Sequence, residues 1–212
     1  MHIPAPHGQL EANFREAEGT ARAAAVVCHP HPLHGGTMHT KAVFRTAQAL
    51  SEAGIHALRF NFRGVGTSTG SYGEGIEEME DARAALDWLQ EEYPDLPLVL
   101  GGFSFGSRVA LRTGVEDARV ATLFGLGLAV ELFDYGFLDG VAKPTLIVQG
   151  EKDQFGAGEA VAAALSELEG AITLVRIPGA GHFFDDHFEE LQETLGEYFT
   201  SGPGGEALQR GH

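Results

Sequence analysis

The chain has 212 residues, 43% of them apolar and 21% charged, the balance of one globular domain with a sizeable core. Thirty acidic against fourteen basic residues leave a net charge of −16, a field that repels phosphate backbones and anionic bilayers and argues against nucleic-acid or membrane partners. A single cysteine, Cys28, allows no internal disulfide; no leader-like segment opens the chain, and no apolar run approaches the ~20 residues that span a bilayer, so a cytoplasmic protein is expected.

In chain order, Gly8–Arg15 reads as a half-polar strand at a sheet edge, antiparallel to its neighbour. Short apolar runs follow at Ala23–Cys28, Ile55–Phe60, 98–100, 121–126, 145–148 and 172–177, each with the length of a fully buried strand. Between them lie helical periods, one marked by Ile76, Met79, Arg83, Leu86 and Leu89 and another by Val161, Ala164, Leu165 and Leu168. The strongest period is Phe184, Phe188, Leu191, Leu195 and Tyr198. Strands alternating with helices predict an α/β fold, a mostly parallel central sheet with helices on both faces. Residues 1–200 are expected to form one domain, with the glycine-rich tail 201–212 disordered.

Chemistry gathers at strand ends. Gly102-Phe103-Ser104-Phe105-Gly106 follows a strand and opens a helical stretch at 107–112. A nucleophile on a strained strand-to-helix turn needs small neighbours two residues either side, because Cβ atoms there would clash. The helix that follows points N–H groups at developing negative charge. Serine needs a histidine to take its proton, and the histidine needs a carboxylate to fix its tautomer. Asp153 follows the run at 145–148, and His182 lies on a glycine-bracketed loop after 172–177, so Ser104, Asp153 and His182 are the expected triad in the chain order of such sites. Glu151 and Asp134 are the lesser candidates for the acid, and His187 reads as a solvated helix residue.

Three further features invite chemistry. His29, His31 and His34 alternate at a strand end as zinc ligands can, but no carboxylate or thiol in a fitting position completes a site and the prolines favour a shaped loop, so neither metal nor cofactor is expected. Cys28 ends an apolar strand and reads as a buried structural thiol. Arg63-Gly64-Val65-Gly66 lacks the remainder of a phosphate-binding pattern and reads as a turn whose arginine ties loops together.

Together, His29-Pro30-His31-Pro32 with Gly35-Gly36, Arg59-Phe60-Asn61-Phe62-Arg63-Gly64-Val65-Gly66 with Ser68 and Gly70, Gly102–Gly106, Gly150–Asp153 and Gly179–Phe183 resemble the α/β-hydrolase superfamily, and within it small bacterial serine esterases without a lid. The resemblance implies an oxyanion hole of two main-chain N–H groups, one from Phe105. The other comes from the loop at 29–36, where Pro30 and Pro32 leave His31, Leu33 or His34; the resemblance favours His31, with Leu33 second. Only fourteen residues, 131–144, separate the strand at 121–126 from the next, too few for a cap domain. An open, shallow pocket walled by Leu33, Phe133, Tyr135 and Phe137 is therefore expected. The expected substrate is a small neutral carboxylic ester; thioesterase, lactonase or peptidase chemistry would use the same groups. A non-catalytic binding protein and a metal-dependent hydrolase at 29–34 are the readings from other classes.

Overall fold

A computed structural model describes residues 1–210 of the chain. Eight strands form one sheet: β1 (His2–Ala5), β2 (Gly8–Arg15), β3 (Ala23–Cys28), β4 (Ile55–Phe60), β5 (Leu98–Phe103), β6 (Val120–Leu126), β7 (Val141–Gly150) and β8 (Gly170–Ile177). Their spatial order is β1-β2-β4-β3-β5-β6-β7-β8; β1 and β2 are antiparallel and the rest run parallel. The helices are α1 (Lys41–Glu52), α2 (Glu78–Glu92), α3 (Phe105–Glu116), α4 (Gly158–Ser166), α5 (Phe188–Thr200) and α6 (Pro203–Arg210). This is the α/β-hydrolase architecture, with no cap domain: residues 131–144 hold only a 3₁₀ turn and the start of β7. Among the described residues, no helix is long and apolar enough to cross a membrane.

The continuous apolar strands have a simple cause. Ala24, Val26 and Cys28 of β3 face the core cluster shared with α2 and α3, while Ala23, Ala25 and Val27 face the cluster on the other side, against α1. The period in α5 buries Leu191, Leu195 and Phe199 completely, each leucine contributing about 1.5–3 kcal/mol of burial. Central strands are hidden on both faces, but β8 is the sheet edge, so Ile172, Leu174 and Val175 are only half-buried.

Three expectations change. Ile76 is 69% exposed and precedes α2, because the Glu78 carboxylate takes the Gly73 and Gly75 N–H groups and holds that stretch as a turn. Phe184 and His187 likewise precede α5. The tail is helical through Arg210 rather than disordered: Pro203 sits at the first position of α6, where no N–H is needed, and Leu208 is buried. Its glycines serve close packing, since a Cβ on Gly204 would lie 2.5 Å from the Tyr198 ring. Gly211 and His212 of that expected tail lie outside the described residues.

β3 lies between β4 and β5, the point at which the strand order reverses, and the crevice at the carboxyl ends of β3 and β5 is where such sheets place ligands.

Candidate active site

Cys28 at the end of β3 pairs with Gly102 near the end of β5, so the two loops that follow meet. A Cβ on Gly102 would lie 2.5 Å from the Gly106 carbonyl, and one on Gly106 would lie 2.3 Å from the His29 carbonyl. Glycine is therefore obligatory at both. Ser104 between them has φ 56° and ψ −122°, a strained conformation of the kind that costs on the order of 1–3 kcal/mol. The turn is held by Ser104 N–H donating to Leu126 O at 2.8 Å and by the Ser107 hydroxyl donating to Ser104 O at 2.6 Å.

The structure brings Ser104, His182 and Asp153 together. His182 Nε2 is 2.9 Å from Ser104 Oγ, and His182 Nδ1 is 2.7 Å from Asp153 Oδ2. An ionised carboxylate only accepts, so Nδ1 carries the ring proton and Nε2 presents its lone pair to the serine hydroxyl. Phe103 and Phe155 flank the imidazole, with ring centroids 5.0 and 4.7 Å away. Asp153 is 2% exposed; its Oδ2 also accepts from Gln149 Nε2 at 2.8 Å and its Oδ1 from Phe155 N–H at 2.8 Å. Glu151 is exposed, and Asp134, also exposed, accepts from Gly136 N–H. Neither is hydrogen-bonded to His182.

The loop after β3 makes a 3₁₀ turn at Pro32–His34. His31 Nδ1 accepts the Leu33 N–H at 3.2 Å, and His31 O accepts the N–H groups of His34 and Gly36, each at 3.1 Å. The Leu33 and His34 donors are thus spent inside the turn, and among the described residues no hydrogen bond takes up the His31 N–H. Leu33 is corrected on both expected roles: the turn throws its side chain outward, where it is 67% exposed.

A cavity of about 670 Å³ opens over Ser104, His182, His31 and Phe105, with Phe133 and Phe155 as walls and Leu132 and Phe183 at its rim. Among the described residues, no carboxylate lines it. Phe133, one of the expected pocket residues, lines this cavity. Tyr135 and Phe137 do not line this cavity: their rings lie 5.8 Å apart, Tyr135 is buried in the core, and it lines instead an adjoining groove of about 550 Å³. The cavity is also larger than the shallow pocket expected from the missing cap, because Phe133 and Phe155 build walls that a lid would otherwise supply.

The neighbouring histidines are engaged elsewhere. His29 is fully buried; its Nδ1–H donates to Pro30 O at 2.6 Å and its Nε2 accepts Phe62 N–H at 3.0 Å, and burial pushes its pKa down to about 4. Burial pushes the Cys28 thiol well up, away from the reactive thiolate. Arg63 ties its loop to α2 as expected, bonding Asp81 at 2.8 Å, Glu80 at 3.0 Å and Glu77.

Residues 22–194 match the family described as an alpha/beta hydrolase domain, and the chain belongs to that family. An alpha-beta serine hydrolase homologue from Coxiella burnetii is 38% identical, with a TM-score of 0.87 over 93% of this chain and 95% of that one. A serine hydrolase without a lid from Xanthomonas campestris is 36% identical, with a TM-score of 0.87 over 93% and 92% of the two chains. An uncharacterised protein of Rickettsia prowazekii is 32% identical over 95% of this chain and 88% of its own length.

Proposed function

We propose that this hydrolase cleaves small neutral carboxylic esters through an acyl-serine intermediate. The observation that carries the reading is the unbroken hydrogen-bonded series Asp153–His182–Ser104, ending in a cavity without carboxylates. Ser104 Oγ attacks the ester carbonyl while its proton passes to His182 Nε2. Asp153 stabilises the imidazolium that forms, and the N–H groups of Phe105 and His31 receive the oxyanion. Collapse expels the alcohol, which takes the proton from His182. Water then attacks the acyl-serine with His182 as base, releasing the acid and restoring the serine.

The cavity wall supports the substrate class. Phe105, Phe133 and Phe155 offer apolar surface to an acyl or aryl group, and among the described residues no lysine or arginine lines the cavity to balance an anionic one. The net charge of −16 also disfavours the approach of carboxylated or phosphorylated esters. Thioesters, lactones and peptides fit the same three groups and belong in the test panel. The experiment is labelling with a fluorophosphonate, followed by turnover of esters, thioesters, lactones and peptides. Label on Ser104 with ester turnover dominant is the expected result; an unlabelled, inactive protein would point to a binding role.

A further inference from the structure

The turn carrying His31 is bonded almost wholly to itself. Its N–H groups at Leu33, His34 and Gly36 all return to His31, while the chain just before it is held at His29, whose ring bonds Pro30 O and the Phe62 N–H. Among the described residues, one hydrogen bond reaches this turn from elsewhere in the fold: Tyr72 Oη lies 3.2 Å from His31 Nε2. Because His31 Nδ1 accepts from Leu33, the ring proton is on Nε2, which donates to the tyrosine oxygen.

Tyr72 is itself tightly held. It lies on the segment between β4 and α2, pinned at its start by Arg63 against Asp81 and at its end by Glu78. Glu78 is fully buried, and both of its carboxylate oxygens are spent on this segment, accepting Gly73 N–H at 2.8 Å and Gly75 N–H at 2.7 Å. The Phe105 ring packs against both His31 and Tyr72, with centroids 4.9 and 6.0 Å away, so the residues that carry the two proposed donors share one packed cluster.

We propose that Tyr72 is a positioning residue for the oxyanion site: anchored by Glu78 through the turn at 73–75, its hydroxyl fixes the His31 ring and so aims the His31 main-chain N–H alongside that of Phe105. This rests on the reading of Ser104 as nucleophile with those two donors. Removing the hydroxyl leaves the ground-state pocket intact and loosens only a donor that matters once the carbonyl oxygen gains charge.

The test is Tyr72→Phe, which keeps the ring and loses only the hydroxyl. Expected are a fall in kcat of about ten-fold with KM changed less than about two-fold, slower fluorophosphonate labelling in the same proportion, and an unchanged melting temperature. His31→Ala removes the ring but keeps the main-chain N–H, so the His31→Ala, Tyr72→Phe double variant should be no slower than the worse single variant. A Tyr72→Phe kcat within about two-fold of the parent, or losses that multiply in the double variant, would overturn the proposal while the parent still labels. A parent that fails to label and hydrolyses nothing would instead remove the reading of the site, and this proposal with it.

Discussion

Gln149 Nε2 donates at 2.8 Å to Asp153 Oδ2, the same oxygen that receives His182 Nδ1–H at 2.7 Å. The amide is fixed in turn, with Oε1 accepting Leu128 N–H at 2.7 Å and Nε2 donating to Gly156 O at 2.6 Å. The buried carboxylate is thus held by neutral dipoles, and among the described residues no lysine or arginine pairs with it, which in the proposed mechanism leaves it to stabilise the imidazolium.

Asp153→Asn should lower kcat by about 10⁴-fold, because an amide N–H facing Nδ1 favours the wrong imidazole tautomer. Glu151→Gln should leave kcat within about two-fold of the parent, since that side chain is exposed and away from the ring. Steady-state kinetics on one ester decides the assignment, and a larger loss at position 151 would reverse it. Gln149→Leu should fall between the two and lower stability as well, because it leaves a buried carboxylate with one acceptor site unfilled.

Ser104→Ala should reduce turnover by roughly 10⁴–10⁶-fold and leave the circular dichroism spectrum and thermal midpoint close to those of the parent. The hydroxyl points into the cavity, so its removal opens no void in the core. Retention of more than about a tenth of parental turnover would show that another group attacks the ester.

How much was legible in the sequence follows from how local each signal is. Gly102, Ser104 and Gly106 were readable because a strained elbow imposes its glycines within five residues. Asp153 and His182 were readable because strand ends fix where loop residues project. Gln149 was hidden inside an apolar strand, and its meaning depends on a side-chain direction that no periodicity encodes. Tyr72 was hidden because its partner, His31, lies across the sheet end and 41 residues away. Composition misled in the tail, where glycines that suggest disorder instead let α6 approach Tyr198 and Phe199. Leu33 misled because a 3₁₀ turn reverses which way a residue in a binding loop faces.

Acid should destabilise the fold through His29. Its folded pKa is about 4, below the unfolded value of about 6.5, because burial penalises the charged ring. Between these values the unfolded chain binds the proton and the folded chain does not, so stability rises with pH across that window. The contribution is complete above about pH 6.5 and falls away by about 3 kcal/mol as pH drops to about 4. Urea unfolding at pH 7 and pH 5 is the measurement. The parent should lose about 2 kcal/mol more than His29→Gln over that interval; equal losses would mean that His29 does not titrate differently on unfolding.

Acyl-chain preference follows from the shape of the cavity. Its walls, Phe133 and Phe155, lie close to Ser104, and its volume of about 670 Å³ has room for a short acyl group with its alcohol. Each methylene laid against such a wall gains about 0.8 kcal/mol, so kcat/KM should rise from acetate over the first few carbons. Leu132 and Phe183 then mark the rim, 62% and 50% exposed, and with no cap above them further methylenes pass into water. There they gain nothing and still lose conformational freedom, so kcat/KM should decline well before decanoate. The negative field adds a second signature: esters carrying a carboxylate should react more slowly than neutral isosteres, and the difference should shrink with added salt. A p-nitrophenyl series from acetate to palmitate, at low and moderate ionic strength, tests both. An optimum at decanoate or beyond would mean that the segment 131–144 moves to build a tunnel over the site, and a carboxylated ester preferred at low salt would mean that a cation reaches the cavity.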